Sequence, residues 1–120
     1  MMVRTCAMAV LALLLLPLVA VGGDDFFETR IRPVLHEHCV QCHGPEKQQG
    51  RLRVDALRFL LEGGDSGPAV VPGRPDDSLL LRAMRHVDAD LEMPPIKAGP
   101  KLPESVLEDV SQWIEAGAVW

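Results

Sequence analysis

The chain has 120 residues, but its first 23 hold 18 of its 57 hydrophobic residues, so the part that folds is a segment of 97 residues, 39 of them hydrophobic. That is one small domain, too short for a doubly wound sheet, a barrel enzyme or two separate cores. Without Arg4, 11 Lys and Arg stand against 17 Asp and Glu, a net charge of −6 with the cations scattered. A nucleic-acid partner is therefore not expected, because no basic stripe is present.

Met1 to Gly23 carries Arg4 near its start, an apolar run from Cys6 to Val21, and small residues ahead of Asp24-Asp25. This is the pattern of a secretory signal peptide, predicting residues 1–23 as signal, 24–120 as the domain, and a periplasmic or otherwise exported location. A membrane anchor is the rival reading, but the run falls short of the roughly 20 residues that span a bilayer. Membrane contact is expected only through this segment if it stays uncleaved. Cys6 would leave with it, so two cysteines remain.

Four helices are predicted downstream. The first begins near Asp25, with Phe27, Ile31 and Leu35 on one stripe and a kink or restart at Pro33. The second is short, capped by Asp55, carries Leu57, Leu60 and Leu61, and stops at Gly63-Gly64. The third starts between Pro75 and Ser78 and presents Leu79, Leu80, Ala83, Met84 and Val87, with Arg82, Arg85 and His86 near its C-terminal end. The fourth opens at Pro103, buries Val106, Leu107, Val110, Trp113 and Ile114, and ends at Gly117. The stretches 44–53, 62–74 and 88–102 between them are long for so small a domain. With few aromatics and many turn residues, the fold calls for a disulfide, a metal or a cofactor to organise it, and a large flat apolar cofactor would do so.

Cys39-Val40-Gln41-Cys42-His43 supplies one. C-x-x-C-H is the pattern of c-type haem attachment: two thiols three positions apart match the two vinyl groups of a haem, and the adjacent imidazole can bind iron from one face. Three other readings stand beside it. A Cys39–Cys42 disulfide or a thioredoxin-like redox pair would want a helix N-terminus in a βαβ unit, which this stretch lacks. Zinc could use the cluster from His36 to His43, although no second C-x-x-C or spaced histidine pair follows.

The second axial face has two thioether candidates, Met84 and Met93. Met93 precedes Pro94-Pro95, which hold the chain extended, whereas Met84 lies on the apolar face of the third helix and reads as core. His86 or an open, water-bound position remains the alternative; His36 and His38 sit too near the attachment site to reach the opposite face. Leu52, Leu80, Ile96 and Trp113 are candidate pocket walls, and Arg51, Arg53, Lys97 or Lys101 could pair with haem propionates. Gly44 with Pro45 is expected to turn the chain away through unusual backbone angles.

These residues resemble the class I c-type cytochromes, and more closely the planctomycete-type cytochrome c domain, from about Phe27 to Val119. The resemblance rests on Ile31-Arg32-Pro33, Leu35, Cys39 to Gly44, Leu52 to Asp55, Gly63 to Pro68, Val71-Pro72-Gly73, Ser78-Leu79-Leu80, Met93-Pro94-Pro95 and Trp113 to Ala118. It implies an all-α, small cytochrome c-like fold of about four helices, the first and last crossing, with long loops around one covalently attached haem. Cys39 and Cys42 would be the attachment sites, and His43 and Met93 the proximal and distal iron ligands. The expected function is one-electron transfer between transiently bound redox partner proteins rather than enzymatic turnover. Domains of this kind usually head larger exported proteins, so a haem-bearing module of a larger enzyme is an alternative. A peroxidase or sensor with an exchangeable distal site is another.

Overall fold

A computed structural model of the protein describes residues 23–120. Apart from Gly23, the expected signal segment lies outside the described residues. Helix α1 (Gly23–Phe26) passes through a π-helical turn over Phe27–Ile31 into α2 (Arg32–His38). The register changes just ahead of Pro33, where the Arg32 N–H bonds back five residues to the Phe27 carbonyl. Proline fits at the second position of the restarted helix because its missing N–H has no intrahelical partner there. The expected stripe is fully realised: Phe27, Ile31 and Leu35 are all buried.

The remaining helices are α3 (Leu57–Glu62), α4 (Leu79–Met84) and α5 (Glu104–Glu115). Single 3-10 turns at Gln49–Arg51, Pro75–Asp77 and Ala89–Leu91 punctuate the loops. No strand occurs among the described residues, which contain two isolated β-bridges, His43 with Gln48 and Gly64 with Gly67. The fold is all-α.

α5 packs across the Phe27–Ile31 turn and against α4. Its Leu107, Val110, Trp113 and Ile114 are buried, and the Trp113 ring lies 5.7 Å from that of Phe27. Trp120 closes on the other side of Phe27 at 4.3 Å. The Arg32 guanidinium lies over both the Phe27 and Trp120 rings while forming a two-pronged pair with Glu28, at 2.7 and 2.9 Å. Pro103 is the cap preceding α5 rather than its first turn, and Gly117, at φ 110°, ends the helix as expected.

Three local expectations change. Asp55 does not cap α3: Ala56 holds that position, and the Asp55 carboxylate binds the Arg53 guanidinium at 2.6 and 2.9 Å. That bond holds the Asp55 carboxyl below the usual aspartate range. Val87 is 65% exposed because α4 stops at Met84 and the chain turns at His86 through φ 54°. Leu81, not expected inside, is fully buried alongside Leu80, Ala83 and Met84, since α4 has α5 on one side and a cavity on another.

The loops are organised by backbone bonds to helix ends. Both Ala69 and Val70 donate to the Leu60 carbonyl, and Leu80 donates to that of Ala69. Ser78 is fully buried; its Oγ accepts from the Val71 N–H at 2.9 Å and donates to the Arg74 carbonyl at 2.9 Å, closing the turn that precedes α4.

Candidate haem site

The five-residue motif begins where α2 ends, with Cys39 as the C-cap. A tight turn follows, in which the N–H groups of Cys42 and His43 both donate to the Cys39 carbonyl, at 3.2 and 2.9 Å. The two thiols are not linked to each other, and both are partly buried. Burial, with a smaller contribution from Cys42, pushes the Cys39 thiol up to about 11. It is therefore neutral at ordinary pH, unlike the thiolate of a redox-active pair.

Gly44 is needed here for space rather than for an unusual angle. A Cβ at this position would collide with the Val40 carbonyl oxygen and crowd Val40 Cγ1 at 2.9 Å. The chain then folds back on itself: Gly44 N–H bonds Lys47 O, Gln49 N–H bonds Cys42 O, and Val54 N–H bonds His43 O. The Gln49 carbonyl faces His43 Nδ1 at 2.9 Å. Because a carbonyl only accepts, Nδ1 carries the proton, and in the neutral ring it is Nε2 that holds the lone pair through which an imidazole binds metal.

Two cavities meet at this residue. The larger, about 620 Å3, is bordered by Cys39, Cys42 and His43 on one side and by Met93, Pro94 and Leu102 on the other. The smaller, about 150 Å3, runs inward between Leu52, Val54, Leu80 and Ala83. His43, Gln49 and Met93 are walls of both. Met93 therefore reaches the same space as the imidazole from a different part of the chain. Its backbone N–H bonds the Ala83 carbonyl at 3.0 Å, and its peptide bond to Pro94 is cis.

The other axial candidates lie elsewhere. Met84 is core, as expected, and His86 lines neither cavity but turns Nε2 to the Met93 carbonyl at 3.3 Å. His36 and His38 are exposed on α2, where His38 borders the larger cavity beside Cys39, and among the described residues no three of His, Cys, Asp or Glu come together as a metal-binding group, so the zinc reading finds no ligand set there.

Of the expected walls, Leu52 and Leu80 line the smaller cavity. Ile96 does not; it is 75% exposed. Trp113 is core between helices, its Nε1–H donating to the Val119 carbonyl at 2.8 Å. The sequence reading missed Val54, Ala69, Ala83 and Leu91, small or ordinary apolar residues with no mark beyond their hydrophobicity. Lys101 borders the larger cavity and Lys97 borders neither, while Arg51 and Arg53 are paired with Asp65 and Asp55.

The residues present fit a haem: two unlinked thiols, an imidazole whose Nδ1 is held by a carbonyl, a methionine bordering the same two cavities, and a largely apolar crevice. Residues 39–96 match the family model of planctomycete cytochrome c. Over that stretch, a little under half of the chain, the protein is similar to planctomycete cytochrome c. The match starts at the first cysteine of the motif and ends just past Met93, so it covers the motif and Met93 but not Leu102 on the larger cavity, nor α1, α2 or α5. No curated protein and no solved structure matches the chain. That similarity implies haem binding.

Proposed function

We propose that this cytochrome c domain carries one haem, attached covalently through Cys39 and Cys42, with His43 and Met93 as its axial ligands, and passes single electrons between partner proteins outside the cytoplasm. The observation that carries the reading is that His43 and Met93, far apart in sequence, are walls of the same two cavities, with both thiols bordering the larger. The haem supplies the one-electron couple. The chain's part is to hold it: Cys39 and Cys42 fix one edge, and the Gln49 carbonyl fixes the His43 tautomer and ring orientation. Leu52, Val54 and Leu80 exclude water, and the Met93 thioether favours the reduced state.

Were His43 and Met93 both to hold the iron, no position would be free for oxygen or peroxide, which favours an electron carrier over a peroxidase or gas sensor. Export is supported by the apolar run that follows Arg4. The test is a visible spectrum of the purified protein, oxidised and reduced, with haem staining after denaturing electrophoresis. Stain that survives denaturation, together with sharp low-spin reduced bands, is the expected result. A colourless protein would overturn the proposal, and a high-spin spectrum would replace Met93 with an open distal position.

A further inference from the structure

We propose that His86 is a positioning residue for Met93, clamping the loop that presents the thioether; the inference rests on Met93 being the distal ligand. Met93 is 36% exposed and sits in a loop with no regular structure beyond the preceding 3-10 turn, so no helix holds its backbone. Its backbone is fixed at both ends of the residue instead. The N–H donates to the Ala83 carbonyl in the last turn of α4, and the C=O accepts from His86 Nε2 at 3.3 Å. His86 is itself tied to the same point, its N–H donating to Ala83 O at 3.1 Å. One carbonyl at the end of α4 thus gathers both the clamp and the residue clamped.

The geometry of His86 suits this task. Its φ of 54° turns the chain out of α4 and back toward the 88–92 segment. Histidine is among the few non-glycine residues that enter this region with modest cost. Because the Met93 carbonyl only accepts, Nε2 must carry a proton. Nε2 is thereby engaged with the Met93 carbonyl, and His86 borders neither cavity, which separates its role from that of a replacement ligand.

The test uses the ferric holoprotein with imidazole as the competing ligand, following its rate of entry in a stopped-flow experiment and the sulfur-to-iron charge-transfer band at the red end of the visible spectrum. His86→Asn tolerates the positive φ but is too short to keep the bond, so it breaks the clamp without straining the backbone. It should admit imidazole about fivefold faster, the effect of losing one hydrogen bond that holds the loop closed. His86→Gln keeps a donor at similar reach and should restore the slow rate. Met93→Ala should abolish the band in either background. An unchanged imidazole rate in His86→Asn, with the band intact, overturns the clamp while leaving Met93 as ligand. A wild-type spectrum without the band, or a band that survives Met93→Ala, overturns the ligand assignment itself.

Discussion

The backbone carbonyl of Gln49, 2.9 Å from Nδ1 of His43, fixes which imidazole nitrogen is free. Gln49 also donates its N–H to the Cys42 carbonyl, so one residue of a 3-10 turn holds the motif at two points. A side-chain substitution at Gln49 leaves both bonds in place. The vulnerable position is the one that lets the chain approach itself.

That position is Gly44. Gly44→Ala drives a Cβ into the Val40 carbonyl and should lower stability by about 1–3 kcal/mol, read from the urea midpoint, as overpacking against backbone does. Gly99→Ala, where a Cβ meets nothing within 4 Å, is the control and should stay within about 0.5 kcal/mol of wild type. Equal effects at the two positions would refute the steric account.

Ser78→Ala should cost about 1–3 kcal/mol. The loss leaves the Val71 N–H without its acceptor next to the fully buried position 78. Ser78→Thr offers the same hydroxyl but adds a methyl to a site with no room, so it should not recover the full stability.

Phe27→Ala should be more severe, about 3–5 kcal/mol, because it removes the ring that Trp113 and Trp120 both pack against. Small domains have about 5–15 kcal/mol in total. Thermal unfolding should therefore shift far more than for any surface change, and a shift as small as that of Gly99→Ala would contradict the packing described.

The Arg53–Asp55 pair predicts an acid dependence. Asp55 has its folded pKa lowered by the Arg53 hydrogen bond, so its stabilising effect is present above the ordinary aspartate value of about 3.9 and fades as pH falls below it. Asp55→Asn should be less stable than wild type near neutrality, and the two should converge in strong acid. Parallel stability curves across that range would show that the pair contributes nothing.

The sequence announced the site more clearly than its surroundings. Five consecutive residues carry the Cys39 to His43 chemistry, and a repeat of four marks Phe27, Ile31 and Leu35; both signals are local. Met93 stood out through the prolines after it. What could not be read was whatever depends on long-range placement or on backbone atoms. Gln49 acts through its carbonyl, which every residue has. Asp55 had a local rival for its carboxylate in Arg53, two residues away, and the guanidinium won over the α3 N-terminus. Trp113 and Ile96 exchanged expectations with Val54 and Ala83 because hydrophobicity alone does not say which core surface borders a cavity.

The chemistry at His43 closes over very short stretches of chain, six residues to Gln49 and eleven to Val54. Met93 comes from fifty residues away. Loop-closure entropy grows with the logarithm of length, so bringing Met93 to the same cavities as His43 costs about 2 kcal/mol more than closing the Gln49 loop. The two sides of the crevice consequently differ in closure cost, and native-state hydrogen exchange is expected to show weaker protection at the Met93 amide than at the Gln49 and Val54 amides.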